Sequence, residues 1–239
     1  MTKIKITHLS TAHNRYDIRI FIKLCSSLAS EGHKVSLVVA DNLGNEIKNG
    51  VSIIDVGAKN NSRFFRMTSS VKNVFKKAKE LDSDIYHFHD PELIPIGLKL
   101  KNLGKKVIFD IHENTDLQIL EKDWIPLIFR KLTAYIYRKY EDYACKKYDL
   151  LIVPQEAMYK KYNKLSKTIV ISNFPKKNNK LNLELKELNK YSLLYSGAIS
   201  ESRGLFNMLN LIKELNLIDN KYRLTLAGVI SLDLLEKSK

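Results

Sequence analysis

The stretch Asp84–Glu113, "DIYHFHDPELIPIGLKLKNLGKKVIFDIHE", decides the fold because it contains a complete strand, helix and strand. The apolar run "DIYHFHD" ends at Asp90 and Pro91, which suit an N-cap and a first helical turn. A helical pattern follows and ends at Gly104, and "KKVIFDIHE" is a second short apolar run. Two strands joined by a crossover helix lie parallel in one sheet, so the stretch predicts a parallel α/β fold.

The same alternation of strand and helix extends in both directions along the chain. Upstream, "KIKITHLS", "KVSLVVAD" and "VSIIDVG" are predicted strands, with helices over residues 18–29 and 63–81. Downstream, a long helix is predicted over residues 124–148, followed by the strands "DLLIVP" and "KTIVIS". Short, continuously apolar strands are typical of a sheet covered on both faces. We therefore predict a doubly wound, Rossmann-like domain over residues 1–172.

The texture of the sequence changes after residue 172. Residues 173–190, "NFPKKNNKLNLELKELNK", are polar and rich in lysine, which is typical of a linker. The pattern then restarts with the strand "YSLLYSG", a helix from about Arg203 and the strand "YRLTLAG". Residues 191–239 hold too few elements to close a core, so we expect an incomplete second Rossmann-like unit.

The charge of the chain restricts its partners. The 239 residues include 40 Lys and Arg against 26 Asp and Glu, a formal net charge of +14. Nucleic acid, an anionic membrane surface or phosphorylated substrates would suit that sign. The charges are dispersed without a nucleic-acid recognition motif, so we predict no nucleic-acid partner. No run approaches the roughly 18 apolar residues of a membrane span, and no signal peptide is visible, so we expect a cytoplasmic protein, at most attached to a membrane face.

The two histidines of "YHFHDPE" raise the question of a metal site. His87 and His89 are two apart on a strand and therefore point to the same face of the sheet. A third ligand would have to come from Asp110, His112 or Glu113 at the next strand end. Because the closely prescribed ligand set of a zinc hydrolase is missing, we predict no metal and interpret His87 as structural.

Other candidate residues follow the carboxyl ends of strands, where ligands bind in an open parallel sheet. His112 enters an irregular segment, where a neutral imidazole can accept or donate a hydrogen bond to a sugar hydroxyl, or simply cap the chain. The first loop, "STAHNRYDIR", lacks the Gly-x-Gly pattern of dinucleotide sites. His13, Arg15 and Arg19 instead offer side-chain donors and acceptors, and Asp17 either joins them or caps the following helix.

The loop "YSGAISESRG" of the second unit has features that suit a phosphate. Gly197 lets a ligand approach the backbone, and a helix that begins near Arg203 would direct its N-terminal amides at that ligand. The Arg203 guanidinium adds a forked cation. The alternative is an ordinary strand–loop–helix turn with a solvated arginine.

Taken together, these segments resemble the retaining glycosyltransferases of family 4, which have the two-Rossmann GT-B fold. The resemblance rests on "HLSTAHNRYDIRIFIKLCSSLASEGHKVSLVVAD", "HFHDPELIPIGLKLKNLGKKVIFDIHE", "YEDYACKKYDLLIVP", "ISNFP" and "YSGAISESRG", in this order. It implies an enzyme that transfers a sugar from a nucleotide-diphosphate sugar to a glycan or lipid-linked acceptor in cell-surface polysaccharide synthesis. It also implies that no metal or other cofactor is needed, because helix dipoles and basic side chains neutralise the leaving diphosphate.

The resemblance assigns roles to individual residues of this chain. His112 falls where the family often places a histidine near the donor sugar, which implies a catalytic role. Gly197, Arg203 and Gly204 fall in the loop that approaches the donor phosphates. The expected acceptor-side residues are His13, Arg15, Asp17, His89, Asp90 and Glu92.

Two departures from the family pattern affect the donor site. Ala198 stands where the family often has an arginine, and the family's paired-glutamate motif would lie beyond residue 239. We therefore expect this chain alone to lack a complete donor site, as a fragment, a truncated product or half of a split enzyme. The alternatives are a non-catalytic module that binds a glycan or partner and, less favoured, a metal hydrolase built on His87, His89 and His112.

The predicted helix over residues 124–148 allows two interpretations. Its apolar stripe comprises Ile128, Leu132, Tyr135, Ile136, Tyr140 and Tyr143, with basic side chains on another side and Trp124 near the start. An aromatic and basic helix could rest on an anionic membrane surface. We favour the simpler interpretation, in which the stripe covers the sheet and the basic face is solvated.

Overall fold

Two units make up the chain. A computed structural model describes residues 3–57, 69–122, 124–175 and 190–237. Unit 1 comprises Met1–Pro175 and unit 2 comprises Lys176–Lys239. Most of the predicted linker at 173–190, and the part of the predicted helix 63–81 before residue 69, lie outside the described residues.

Unit 1 is built on one eight-stranded sheet. Its strands are β1 (Lys5–Leu9), β2 (Lys34–Val39), β3 (Glu46–Lys48), β4 (Val51–Asp55), β5 (Ile85–Phe88), β6 (Lys106–Asp110), β7 (Leu150–Val153) and β8 (Thr168–Val170). Their order is β3-β4-β2-β1-β5-β6-β7-β8, and all neighbours are parallel except β3 and β4. Strand β3 lies between the two predicted strands "KVSLVVAD" and "VSIIDVG" and was not predicted, since three residues give too little pattern to detect.

The helices of unit 1 connect these strands. They are α1 (π-helical over Ile18–Cys25 and α-helical over Ser26–Ser30), α2 (Val71–Leu81), α3 (3-10 over Pro91–Leu93, then α-helical over Ile94–Asn102), α4 (Thr115–Leu120), α5 (Leu127–Cys145) and α6 (Glu156–Tyr162). Asp17 caps α1 by accepting hydrogen bonds from the backbone amides of Arg19 and Ile20, which confirms the capping alternative for Asp17.

The strand order confirms the predicted doubly wound α/β fold. The chain builds outward from β1 to β4 and then returns to place β5 on the other side of β1. The carboxyl ends of β1 and β5 are therefore neighbours, with Leu9 opposite Phe88. Such a reversal of strand order opens a crevice beyond the strand ends, where ligands bind in this class of fold.

The two faces of the central strands differ in character. Leu9, Phe88 and Phe109 belong to one apolar cluster, in which the Phe88 and Phe109 rings stack 4.4 Å apart. Helix α3 packs closely here, because a methyl group added at Gly97 would lie 2.7 Å from the Phe88 ring. The opposite face of β1 and β5 presents His8 beside His87. The sheet thus has an apolar face and, at its centre, a histidine-bearing face.

The helix α5 departs from its prediction. Its buried residues are Ala134, Glu141, Ala144 and Cys145. Cys145 and Cys25 are both buried free thiols. The apolar stripe that we expected to cover the sheet is instead on the exposed side, so that interpretation was wrong. Small residues allow the helix to approach its neighbours closely, and the large apolar side chains point away.

Unit 2 contains a parallel strand pair with helices. Its elements are β9 (Ser192–Ser196), a 3-10 turn (Glu201–Arg203), α7 (Leu205–Ile218), β10 (Arg223–Ala227) and α8 (Leu232–Lys237). Among the residues described in this unit, only Ile199 and Leu205 are buried apolar residues. The described elements of this unit therefore do not enclose a core of their own.

Candidate functional site

A pocket opens at the carboxyl ends of β1, β5 and β6, at the point where the strand order reverses. It has a volume of about 320 Å³. The predicted site residues His13, His89, Asp90, Glu92 and His112 line it, together with Ala12, Pro91, Phe109, Ile111, Glu113, Thr115 and Gln118. The sequence therefore located this pocket from strand ends alone.

Asp90 organises one wall of the pocket. The sequence predicted that its side chain caps α3, and this prediction was wrong. Its side chain makes no capping hydrogen bond. Its carboxylate instead accepts hydrogen bonds from Ser10 Oγ at 2.9 Å, the Thr11 amide at 2.6 Å and the Ala12 amide at 3.2 Å. His13 Nδ1 lies 2.8 Å from the other carboxylate oxygen. Asp90 thus ties the loop after β1 to the end of β5.

The His13–Asp90 pair is polarised by this arrangement. Burial raises the pKa of Asp90, but the hydrogen bonds from His13, Thr11 and Ser10 outweigh it and lower the pKa to about 2. Burial lowers the pKa of His13, yet the Asp90 carboxylate reverses the sign and raises it. Asp90 is therefore a fixed anion at neutral pH. Because Nδ1 faces Asp90, Nε2 of His13 is the nitrogen left for a ligand.

His112 is oriented by a second buried carboxylate, that of Asp110. His112 Nε2 lies 3.2 Å from Asp110 Oδ2, and Arg19 binds the same carboxylate at 2.9 Å through Nε and at 2.7 Å through a terminal nitrogen. Burial raises the pKa of Asp110, but hydrogen bonds from His112, His89 and Arg19 lower it well below its usual range. An ionised Asp110 only accepts, so His112 Nε2 donates and Nδ1 remains as an acceptor.

Three further histidines continue inward from the pocket. His8 Nδ1 lies 3.0 Å from His89 Nε2, and the rings of His87 and His89 are 4.5 Å apart. Burial lowers the pKa of all three, and the pKa values of His8 and His87 fall well below the ordinary value. All three rings are therefore neutral at neutral pH. His8 Nε2 and His87 Nε2 are buried without a hydrogen-bond partner in the described structure, whereas His89 Nδ1 lies 3.3 Å from Asp110.

Two groups of side chains have the composition of a metal site within the described parts of the chain. They are His8 with His87 and His89, and His89 with Asp110 and His112. In the first group, His8 and His89 already hydrogen-bond to each other, which directs their remaining nitrogens apart. In the second, the Arg19 guanidinium already neutralises Asp110, so a divalent cation there would face an adjacent positive charge. In both groups, members already hydrogen-bond or form ion pairs with other protein side chains.

Arg15 and Asp17 do not line this pocket. Arg15 donates to both carboxylate oxygens of Asp41, at 2.7 and 2.6 Å, and to Glu46 at 2.7 Å. Asp17 caps α1. Arg15 and Asp17 line a separate cavity of about 500 Å³, which Tyr16 also lines. The structure therefore separates these two predicted acceptor-side residues from the other four.

Sequence reasoning missed three groups that shape the pocket: His8, the Arg19–Asp110 pair, and the hydroxyls of Ser10 and Thr11. Thr11 Oγ1 donates to Glu92 at 2.7 Å, which fixes another wall of the pocket. Each of these contacts joins residues about 80 or more positions apart. Only the strand register could have revealed them.

The loop of unit 2 has the backbone that its glycines predict. Gly197 and Gly204 have φ values of 153° and 80°, which favour glycine. Arg203 is exposed in the 3-10 turn directly before α7. Gly228, which the sequence reasoning missed, closely approaches this loop, because an added Cβ would lie 1.7 Å from the Gly197 carbonyl oxygen. A side chain at position 228 would displace the predicted phosphate loop.

Solved structures share this fold. Sucrose-phosphate synthase from Thermosynechococcus elongatus has a TM-score of 0.60 at 16% identity, over 98% of this chain and 72% of that one. A UDP-forming α,α-trehalose-phosphate synthase from Burkholderia xenovorans has a TM-score of 0.59 at 15% identity, over 97% of this chain and 66% of that one. A UGT transferase from Siraitia grosvenorii, solved with UDP, has a TM-score of 0.59 at 9% identity, over 95% and 65%. The fold class is therefore that of the GT-B glycosyltransferases, and this chain spans about two thirds of the length of two of these proteins.

The family model for Glycosyltransferase Family 4 matches residues 19–174. The chain belongs to this family. The matched range includes β2 to β8, the pocket residues His89, Asp90 and His112, and the buried Asp110 that orients His112. A search of curated proteins found no match.

Proposed function

We propose that the protein is a glycosyltransferase that moves a sugar from a nucleotide-diphosphate sugar to a hydroxyl of its acceptor, with retention of anomeric configuration. The observation that carries this proposal is a pocket at the topological switch point with two histidines, each held by its own buried carboxylate. The rings of His13 and His112 lie 4.9 Å apart, which suits hydroxyl groups of a single sugar. Family membership and fold support the same reaction class.

His112 acts at the reacting sugar in this proposal. The Nε2–H group of His112 donates to Asp110, so Nδ1 accepts a hydrogen bond from a sugar hydroxyl and fixes the orientation of the sugar. His13 and Glu92 bind acceptor hydroxyls on the neighbouring wall. A raised pKa gives His13 a partial positive charge near neutral pH, so it donates to a hydroxyl oxygen when protonated and accepts from it when neutral.

The loop of unit 2 binds the donor diphosphate in this proposal. Charge builds on the departing phosphate as the sugar becomes cation-like, so preorganised donors there lower the barrier most. Amides at the start of α7, together with Arg203, Gly197 and Gly204, would supply those donors. This charge compensation makes the transfer independent of a metal ion. Ala198 leaves Arg203 as the basic side chain of this loop.

We further propose that the acceptor is a glycan or a lipid-linked sugar of a cell-surface polysaccharide and that the protein works on the cytoplasmic face of the membrane. A pocket bordered by polar side chains, with Phe109 and Ile111 beside them, fits a sugar ring with one apolar face. The net charge of +14 favours both a diphosphate donor and an anionic membrane.

The test measures sugar binding and transfer separately. The full chain is titrated with a panel of alkyl glycosides and a panel of nucleotide sugars by ligand-observed NMR, and nucleotide release is followed with both present. We expect His112→Gln to lower sugar affinity about five- to tenfold, because a hydrogen bond to a partly buried side chain contributes about 1–1.5 kcal/mol. The matched control is His33→Gln, which lies outside the pocket. A His112→Gln variant that binds and reacts like the parent chain contradicts the proposed site.

A non-catalytic binding module is the second candidate. It is favoured by one observation, that every residue lining the pocket belongs to unit 1. Glycoside binding that depends on His112, without nucleotide-sugar binding, would identify such a module. Nucleotide-sugar binding that is weakened by Arg203→Gln would instead support the transferase.

A further inference from the structure

The exposed side of α5 is covered by large apolar and aromatic side chains. Ile128 is 80% exposed. The other exposed members are Phe129, Leu132, Tyr135, Ile136, Tyr140 and Tyr143. We call this set the α5 face. A row of large apolar side chains in water marks a surface that binds something, because isolated exposed residues are ordinary but continuous patches are not.

The α5 face lies opposite the packed side of the helix. At about 100° per residue, Ile128, Leu132, Tyr135 and Ile136 fall within an arc of about 100°. Glu141, which is fully buried between Tyr137 and Tyr162, falls nearly opposite. The inner side of α5 is therefore anchored in unit 1, and the α5 face is on the solvent-exposed side.

The apolar surface continues beyond α5. Helix α4 packs against α5 and exposes Leu117 and Leu120, and Trp124 is exposed between the two helices. Tryptophan, tyrosine and leucine at one surface are the residues that settle at the boundary between lipid headgroups and acyl chains. The patch is thus broad and aromatic.

Basic side chains accompany the α5 face. Lys131, Arg138, Lys139, Lys146 and Lys147 are exposed on or directly after α5. Lys139 lies 5.4 Å from the Tyr135 ring and Lys147 lies 5.7 Å from the Tyr143 ring. Long basic side chains can extend past a buried apolar face to anionic headgroups, each contributing about 1 kcal/mol near such a surface. This charge complementarity distinguishes a lipid surface from a neutral protein partner.

We propose that the α5 face docks on the surface of an anionic lipid bilayer, with its apolar side chains in the headgroup region and its basic side chains on lipid phosphates. Among the described helices, none is long and apolar enough to cross a bilayer, so the chain would lie on the surface. The role of this docking rests on the proposed function, because it would bring the glycosyltransferase to a membrane-bound acceptor. Helix α4 lines the pocket through Thr115 and Gln118 and carries Leu117 on its exposed side, so a docked chain holds the pocket beside the membrane.

The test is flotation of the full chain with vesicles of phosphatidylcholine alone or with about one third phosphatidylglycerol. We expect binding to the anionic vesicles, weaker binding to the neutral ones, and a loss of binding as salt screens the charges. The double variant Ile128→Ser with Ile136→Ser should weaken binding about tenfold or more, since two apolar anchors are lost. The matched control is Ile47→Ser, an equally exposed isoleucine (79%) on β3 outside the α5 face.

The outcomes separate docking from its rivals. Equal flotation of the double variant and the parent chain, or no flotation of the parent chain, overturns the proposal. Parent chains that self-associate through the α5 face and do not bind vesicles would identify a second copy as the occupant, which also overturns it. Circular dichroism checks that the variants are folded. We expect them to fold, because the substituted positions are exposed. Glycoside binding by the double variant should be unchanged, so a failure of docking is distinguishable from a failure of the proposed site.

Discussion

Acidification between pH 7 and 5.5 should destabilise unit 1 through its buried histidines. Burial lowers the pKa of His8, His87 and His89 in the folded chain. In the unfolded chain, histidine takes up a proton below a pKa of about 6.5. The unfolded state therefore binds more protons as the pH falls below that value, and the free energy of unfolding decreases.

The size of the effect follows from the number of protons. Each proton bound only by the unfolded state changes the free energy of unfolding by about 1.4 kcal/mol per pH unit, so the three histidines give a limit of about 4 kcal/mol per pH unit. Glu141 opposes this by at most one proton, because burial raises its pKa and the folded state can hold that proton. His13 has a raised pKa, so its contribution is complete below pH 6.5 and is lost only as the pH rises. We expect a net limiting slope of about 3–4 kcal/mol per pH unit.

The assay is urea unfolding at several pH values, followed by circular dichroism and by the fluorescence of Trp124, the single tryptophan of the chain. His87→Asn should reduce the slope by about 1.4 kcal/mol per pH unit, which is one proton. His33→Asn serves as the control because His33 lies outside the buried row. A free energy of unfolding that stays constant from pH 7 to 5.5 would refute the assignment of three buried neutral histidines.

Two further predictions concern packing and charge. Arg19→Met should lower the free energy of unfolding by about 3–5 kcal/mol in urea titrations, because it leaves the buried Asp110 carboxylate without its cation. Asp110→Asn in the same chain should recover part of that loss, and no recovery would contradict the pairing. Gly97→Ala should cost about 1–3 kcal/mol in thermal unfolding, since its methyl group would meet the Phe88 ring at 2.7 Å, whereas an unchanged melting temperature would show that α3 can shift freely.

The sequence predicted those features that depend on local periodicity. Alternating apolar strands and helices define a parallel sheet, and a parallel sheet places strand ends such as His89 and His112 at one edge. The role of each side chain at that edge depended on the register between neighbouring strands, which the sequence pattern does not give. Asp90 is a sound N-cap by local rules, but β1 lies beside β5, and the amides of Thr11 and Ala12 offer the carboxylate a better-connected site. The contact between Thr11 and Asp90 joins residues 79 positions apart, whereas the N-cap rule considers only about four neighbouring residues.

Helix α5 shows a second limit of periodicity, and its explanation lies in side-chain size. An apolar stripe at helical spacing shows that one side of a helix avoids water, but it does not show what covers that side. Ala134 and Ala144 form the inner side of α5 because small residues let it pack closely against its neighbours, with Glu141 satisfied by the hydroxyls of Tyr137 and Tyr162. The helix thus buries its small residues and leaves its large apolar side chains on the surface of the unit. Burial, and not the sequence pattern, shows that this stripe does not cover the sheet, and contact with a membrane is the proposal that vesicle flotation tests.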